Sequence, residues 1–297
     1  MDSGRKPSTK AADYDPQLSR GRSQQPNDQR DKAMTEERKA RLILLTNDDG
    51  YEAEGVAVLY RRLRDLGETY LVAPDREKSA TSLALTLREP LRARRVGPTV
   101  FAVEGTPADC LYLAVEKLLP RRPDLVVSGI NHGPNLGQQD VSYSGTVAGA
   151  IQGTYFGIPS LAVSALADSR GIFPFDLAAD ISSQLSALLL AGPPVQGITL
   201  NLNVPPPPFQ GLRLTKLGEK RYSPEIIQAD DPRRRSYYWI GLGNPHPVGD
   251  RESDLEAVRR GYASLTPLHS DLTDYAALRD SALQGLAARI AGPAKKG

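Results

Sequence analysis

Residues 42–50 read Leu42-Ile43-Leu44-Leu45-Thr46-Asn47-Asp48-Asp49-Gly50, an apolar run that stops at two adjacent carboxylates. A strand with no polar member among its leading residues is covered on both faces, as in a parallel sheet flanked by helices. The acidic turn behind it poses an energetic question. Neighbouring carboxylates repel, and each costs free energy near a dry core unless something pairs with it. A helix-capping turn, a salt-bridged corner and a bound cation are the candidate answers.

Working outward, Val56, Leu59, Leu63 and Leu66 recur at helical spacing, and Gly67 follows as the expected C-terminal cap. Tyr70-Leu71-Val72-Ala73 reads as the next strand, and residues 83–87 and 100–103 as two further ones. Thr106-Pro107-Ala108-Asp109 is a helix start, with Thr as cap, Pro at the first helical position and Asp in the first turn. Cys110, Leu113, Ala114 and Leu118 then share one face, which makes Cys110 a core residue. A buried strand is expected over 124–130, a Gly/Asn-rich loop after it, a helix over 145–156 and a strand over 159–163. An amphipathic helix over 175–191 and a strand over 198–202 lead to four prolines at 205–208, which cannot enter a sheet interior and mark a change of architecture. Strand and helix alternating at this pitch predict an α/β fold, a mostly parallel sheet with helices on both faces. A strand over 261–266 and a helix over 272–290 close the chain. Between them and the prolines, residues 213–241 are rich in Arg and Tyr and include Ser236-Tyr237-Tyr238-Trp239-Ile240. They read either as a β-arm covering a second copy of the chain or as a satellite sheet packed on its own domain.

Composition narrows the class. Only eight of the first 40 residues are hydrophobic, too few to offset the entropy of ordering the backbone, so residues 1–40 are expected to be a disordered tail, with Met34 as an alternative start, and 41–297 a single domain. The tail holds nine of the 37 Lys/Arg and seven of the 35 Asp/Glu, which leaves 28 of each in the rest. A neutral core speaks against a nucleic-acid partner, and no apolar run reaches the length of a membrane span. One cysteine excludes a disulfide scaffold and a cysteine zinc site. A cytoplasmic protein is expected.

In an open parallel sheet, ligands gather beyond the carboxyl ends of the strands. Those positions are occupied here by Asn47-Asp48-Asp49-Gly50, by Asp75-Arg76-Glu77-Lys78-Ser79, and by Gly129-Ile130-Asn131. Two carboxylates, a hydroxyl and an amide carbonyl form an all-oxygen set, which suits a hard divalent cation, Mg²⁺ or Mn²⁺, rather than zinc. A cation would also offset the repulsion between Asp48 and Asp49, with Gly50 permitting the turn. Ser144-Gly145-Thr146 opens a helix, where N–H groups and hydroxyls form an anion site; Asn135 either joins it or stabilises its own loop. Metal beside anion suggests phosphate-ester chemistry. Lys78 would add positive charge. His132 reads as a loop histidine or a proton donor, and a carboxylate of the Asp pair is the other candidate acid or base. No P-loop or dinucleotide fingerprint is present.

The segments 44–51, 72–76, 105–110, 128–131 and 143–147, in this order, resemble the SurE family, the stationary-phase survival proteins that act as metal-dependent 5′/3′-nucleotidases. The similarity runs from about residue 42 to Leu278 and includes Thr266-Pro267 and Asp271-Leu272-Thr273. The resemblance implies a three-layer Rossmann-like fold with a C-terminal β-hairpin extension for oligomerisation. It implies one divalent cation per subunit on Asp48, Asp49, Ser79 and Asn131, and Ser144, Gly145 and Thr146 near the phosphate. It further implies hydrolysis of nucleoside monophosphates, in some members of short polyphosphate, by a homodimer or homotetramer. The chain departs from the family's pattern at Gln138-Gln139-Asp140, where paired acidic residues are usual, and carries one more residue before Tyr143. That departure touches substrate preference more than the metal site. A Mg-nucleotide binding or sensing module without turnover is the competing reading.

Overall fold

The computed structural model describes residues 41–193, 197–222, 225–241, 246–248 and 250–290, so the expected tail over 1–40 lies outside the described residues. Strand β1 (Leu42–Thr46) is buried along its whole length, and its side chains alternate between two helix layers. Ile43 and Leu45 pack with Val56, Leu59 and Leu63 of α1 (Glu54–Leu63) and with Phe175, Ala178 and Ala179 of α5 (Phe175–Ala191). Leu44 faces the opposite layer, against Cys110 and Leu111 of α2 (Pro107–Leu113). This is the two-sided burial that the run of aliphatics requires.

The sheet is completed by β2 (Glu68–Pro74), β3 (Ala93–Gly97), β4 (Val100–Val103), β5 (Leu125–His132), β6 (Ser160–Ala165), β7 (Ile198–Val204), β8 (Leu212–Leu214) and β13 (Ala263–His269), in the order β3-β4-β2-β1-β5-β6-β7-β13-β8. Strands β4, β2, β1, β5, β6 and β7 run parallel, while β3 and β13 are antiparallel to their neighbours β4 and β7. The chain moves outward from β1 through β2 to β4, then returns to place β5 on the other side of β1. The switch point therefore lies between β1 and β5, where Thr46 is in register with Ser128. Here α3 (Gly137–Tyr143) and α4 (Gly145–Tyr155) follow β5, and α4 covers the same face as α2.

Several expectations are corrected. Residues 83–87 form no strand, because their polar groups serve the next helix start. Thr86 donates from its N–H and hydroxyl to Asp109 (2.9 and 2.7 Å), and Thr106 donates to the Ala84 carbonyl (2.7 Å). The strand in this region is β3, an arginine-bearing edge strand, which blunts pairing with other chains. Gly67 is no helix cap, since α1 ends at Leu63; a Cβ at Gly67 would stand 2.6 Å from the Arg41 carbonyl. The prolines end β7, yet the sheet continues beyond them through β13 and β8. The last helix is shorter than expected: a 3₁₀ turn at Ala277–Arg279 and α7 at Ser281–Ile290, started by the Asp274 and Asp280 carboxylates, which accept backbone N–H groups.

Beyond β8 come β9 (Glu219–Arg221), β10 (Glu225–Asp230), β11 (Ser236–Gly241) and β12 (His246–Val248), then α6 (Asp254–Arg259). β10 and β11 form an antiparallel hairpin with Glu225 opposite Gly241 and Asp230 opposite Ser236. Its aromatic strand is exposed, Trp239 to 66%. β12 pairs with β9.

Candidate active site

The turn after β1 is fixed from both sides. Gly50 adopts φ +101°, which L side chains rarely take, and the Asn47 amide donates to the Gly50 carbonyl (2.8 Å). The Asp48 carbonyl accepts the Lys78 N–H (2.7 Å), and the Tyr51 N–H bonds the Pro74 carbonyl (2.9 Å), so the loops after β1 and β2 are joined. Asp48 is consequently buried, 5% exposed.

Burial pushes the Asp48 carboxyl up to about 6, against the opposing hydrogen bond from Thr146 and with a further push from the Asp49 charge. Thr146 Oγ1 donates to Asp48 Oδ1. The start of α4 lies directly against this carboxylate: a Cβ at Gly145 would stand 2.8 Å from Asp48 Oδ2, so only glycine fits. Asp49 is held separately. Its Oδ2 accepts the His132 N–H (3.3 Å) and lies 3.2 Å from His132 Nδ1. The imidazole is in turn fixed edge-on against Phe173 and Phe175, with ring centroids 5.3 and 4.7 Å away.

Asn131 donates through Nδ2 to the Gly133 carbonyl (2.8 Å), an acceptor that only the amide nitrogen can satisfy, which leaves Oδ1 as the free end. Ser79 donates to Glu77 Oε1 (2.7 Å), so its lone pairs stay available. Asp48, Asp49, Ser79 and Asn131 all line one cavity of about 660 Å³ at the switch point, the four expected cation ligands brought together from three loops. Among the described residues no three His, Cys, Asp or Glu side chains group as a metal cluster, so a cation here relies on neutral oxygens beside the Asp pair. A buried carboxylate raised to about 6, a second one adjacent and two neutral oxygens fit a hard divalent ion.

The expected anion-site residues divide. Ser144 lines the cavity and caps α4, its Oγ accepting the Val147 N–H (3.0 Å). Gly145 and Thr146 are turned to Asp48 instead. Asn135 lines the cavity, but its Nδ2 donates to Ser164 Oγ (2.8 Å), and its peptide is clasped by Asn203, which accepts its N–H (2.8 Å) and donates to its carbonyl (3.1 Å). The loop-stabilising alternative is the one these bonds describe. Lys78 is engaged through its backbone and is absent from the cavity lining. Among the polar lining residues, Lys220 and Tyr222 escaped the sequence reading, whereas Glu77 and Asp140 were named only as members of their segments. Glu77 was within the strand-end segment and separable only by the Ser79 bond. Lys220 stands in a charged run, Glu219-Lys220-Arg221, with no signal distinguishing it from a solvated face.

Fold and site together define a class: three-layer α/β proteins with an acidic, oxygen-lined cavity at the carboxyl edge of a parallel sheet. Within that class, the family model described as "Survival protein SurE" matches residues 43–224, and the chain belongs to the SurE family. It is 46% identical over 241 residues to 5′-nucleotidase SurE of Pelobacter propionicus, covering 80% of this chain and 96% of that protein. To 5′-nucleotidase SurE of Gemmatimonas aurantiaca it is 48% identical, over 78% of this chain and 93% of the relative. The crystal structure of the Aquifex aeolicus SurE protein superposes with a TM-score of 0.71 at 37% identity, over 83% of this chain and all of that one.

Proposed function

We propose that this chain is a 5′-nucleotidase, a phosphomonoesterase that converts nucleoside 5′-monophosphates to nucleoside and phosphate with one divalent cation per subunit. The observation that carries the reading is the Asp48–Asp49 pair at the switch point, Asp48 buried and Asp49 partly so, sharing its cavity with Asn131 and Ser79. The relatives named 5′-nucleotidase SurE, which the chain matches over nearly their full length, support the substrate class. Nucleoside 3′-monophosphates and short polyphosphate are further candidate substrates.

Mg²⁺ or Mn²⁺ would be held by Asp48, Asp49, Ser79 and Asn131. When bound, such an ion polarises phosphoryl oxygens and lowers the pKa of a nearby water. The chain's own groups do the rest. Thr146 orients Asp48, and His132 orients Asp49. Ser144 Oγ already accepts the Val147 N–H, so its own proton is available to a non-bridging phosphate oxygen, beside the N–H groups that open α4. His132 or a carboxylate of the Asp pair supplies the proton that the departing ester oxygen needs. The hairpin over β10 and β11 within residues 213–241 suits a homodimer or homotetramer, because its aromatic side chains are uncovered in a single chain.

Phosphate release from AMP and GMP, with and without chelator, tests the reading. Chelator-sensitive release is expected. Protein that binds metal and nucleotide but releases no phosphate would make it a binding module.

A further inference from the structure

The cavity holds a second charged cluster, contributed by β9, by α3 and by the residue that follows β9. Lys220 of β9 is paired with Asp140 of α3, and the two side chains are only 11% and 12% exposed. Tyr222 completes the cluster, its hydroxyl donating to Asp140 Oδ1 and its ring lying 5.5 Å from the Lys220 ammonium. Burial alone would lower the lysine pKa, but the hydrogen bonds to Asp140 and Tyr222 more than offset it, and Lys220 stays charged.

A buried ion pair is a weak fastening, because desolvation cancels much of the attraction and apolar residues of equal size would join α3 to β9 as well. Its chemistry makes more sense against the rest of the cavity. Four carboxylates line it, from Asp48, Asp49, Glu77 and Asp140, and Lys220 is the one Lys or Arg among its described lining residues. One divalent cation on the Asp pair would offset only part of the charge of four carboxylates, so an entering phosphate ester still meets repulsion unless further positive charge is in place. An ammonium has three N–H donors, and Asp140 and Tyr222 leave at least one of them for another acceptor.

Resting on the reading of the cavity as a phosphate-ester site, we propose that Lys220 is a substrate-binding residue that holds the phosphate in the cavity it shares with Asp48 and Asp49. Asp140 and Tyr222 position it. The segment after the prolines thereby contributes to the site itself and is more than an assembly arm.

The test is titration of inorganic phosphate into the Mn²⁺-loaded full chain, alongside KM and kcat for AMP, with K220Q, K220R and D140N. Loss of one charge-assisted contact predicts phosphate binding weaker by about tenfold or more in K220Q, with a raised KM and unchanged Mn²⁺ affinity. K220R should fall between K220Q and wild type. D140N separates charge from architecture: its amide oxygen still accepts from Lys220 and keeps it in position while a negative charge is lost, so phosphate should bind at least as tightly as to wild type. Binding in K220Q within twofold of wild type overturns the proposal. So does an equal loss in K220Q and D140N, which would mark a purely structural clasp, and so does wild-type protein that takes up no phosphate. Should K220Q not fold, D140N alone decides, since weaker phosphate binding there contradicts the charge role. Failure of wild-type protein to hydrolyse AMP, with phosphate binding still dependent on Lys220, would overturn the nucleotidase reading and leave Lys220 in place.

Discussion

The hydroxyl of Thr146, at the start of α4, donates to Oδ1 of Asp48, at the end of β1, and both side chains are buried. This bond links the helix layer to the acidic turn and lowers the cost of holding a carboxylate there. Replacing Thr146 with Val keeps the volume and removes the donor. Hydrogen bonds to buried charged groups contribute about 1.5–3 kcal/mol, so metal-free Thr146→Val should be less stable by that amount, while Thr146→Ser should lose much less. Urea unfolding of the metal-free proteins measures it. A difference below roughly 0.5 kcal/mol for Thr146→Val would mean the bond contributes little.

Asp48→Asn separates function from folding. An ionised carboxylate beside Asp49 in a buried site opposes folding unless a cation is present. The neutral amide removes that opposition, so without metal the variant should melt at the same temperature as wild type or higher. Addition of Mg²⁺ or Mn²⁺ should raise the melting temperature of wild type and leave that of the variant nearly unchanged, because only a protein that binds the ion gains from mass action. Phosphate release from AMP should be abolished. A variant still stabilised by the ion, or still active, would remove Asp48 from the cation site.

What the sequence made legible follows from how local each signal is. The β1 turn could be read because a run of aliphatics and two carboxylates are contiguous. The α2 start could be read because its cap is contained in four residues: Thr106 accepts the Asp109 N–H (3.1 Å), and Asp109 accepts the Thr106 N–H (2.9 Å). Helix α3 could not. Residues 137–143 contain Val141 as their one aliphatic side chain, so they show no apolar stripe, and their first N–H groups are satisfied from far away in the chain. Gly137 donates to Asp254 Oδ2 (2.8 Å) and Gln138 to the Gly218 carbonyl (3.0 Å). The same remoteness hid Lys220, whose partner Asp140 lies on that unseen helix. The cation ligands were reached from strand ends, whereas the division of Ser144, Gly145 and Thr146 between cavity and Asp48 depends on packing that no spacing encodes.

Asp254 is the residue on which this remote assembly turns. It is fully buried, and its Oδ2 accepts the Gly137 N–H while its Oδ1 accepts those of Gly218 and Leu255, each at 2.8 Å. Asp254→Asn replaces one acceptor with an NH₂ group, so one of these N–H donors must face another donor. Such a mismatch costs about 2–3 kcal/mol. Because Gly137 opens α3 and Gly218 precedes β9, the variant should also bind substrate more weakly. The pH dependence has a definite sign. Burial holds the folded carboxyl above its ordinary value of 3.8, so the folded chain takes up this proton at higher pH than the unfolded chain does. The ionised group therefore penalises folding above its folded pKa, and the penalty lifts as pH falls through that value toward 3.8. Asparagine does not titrate. The advantage of wild type over Asp254→Asn should accordingly be smaller at neutral pH and grow on mild acidification, as read from urea midpoints of the two metal-free proteins at matched pH. An advantage that shrinks across that window would show that Asp254 is stabilised in its charged form, contrary to its burial.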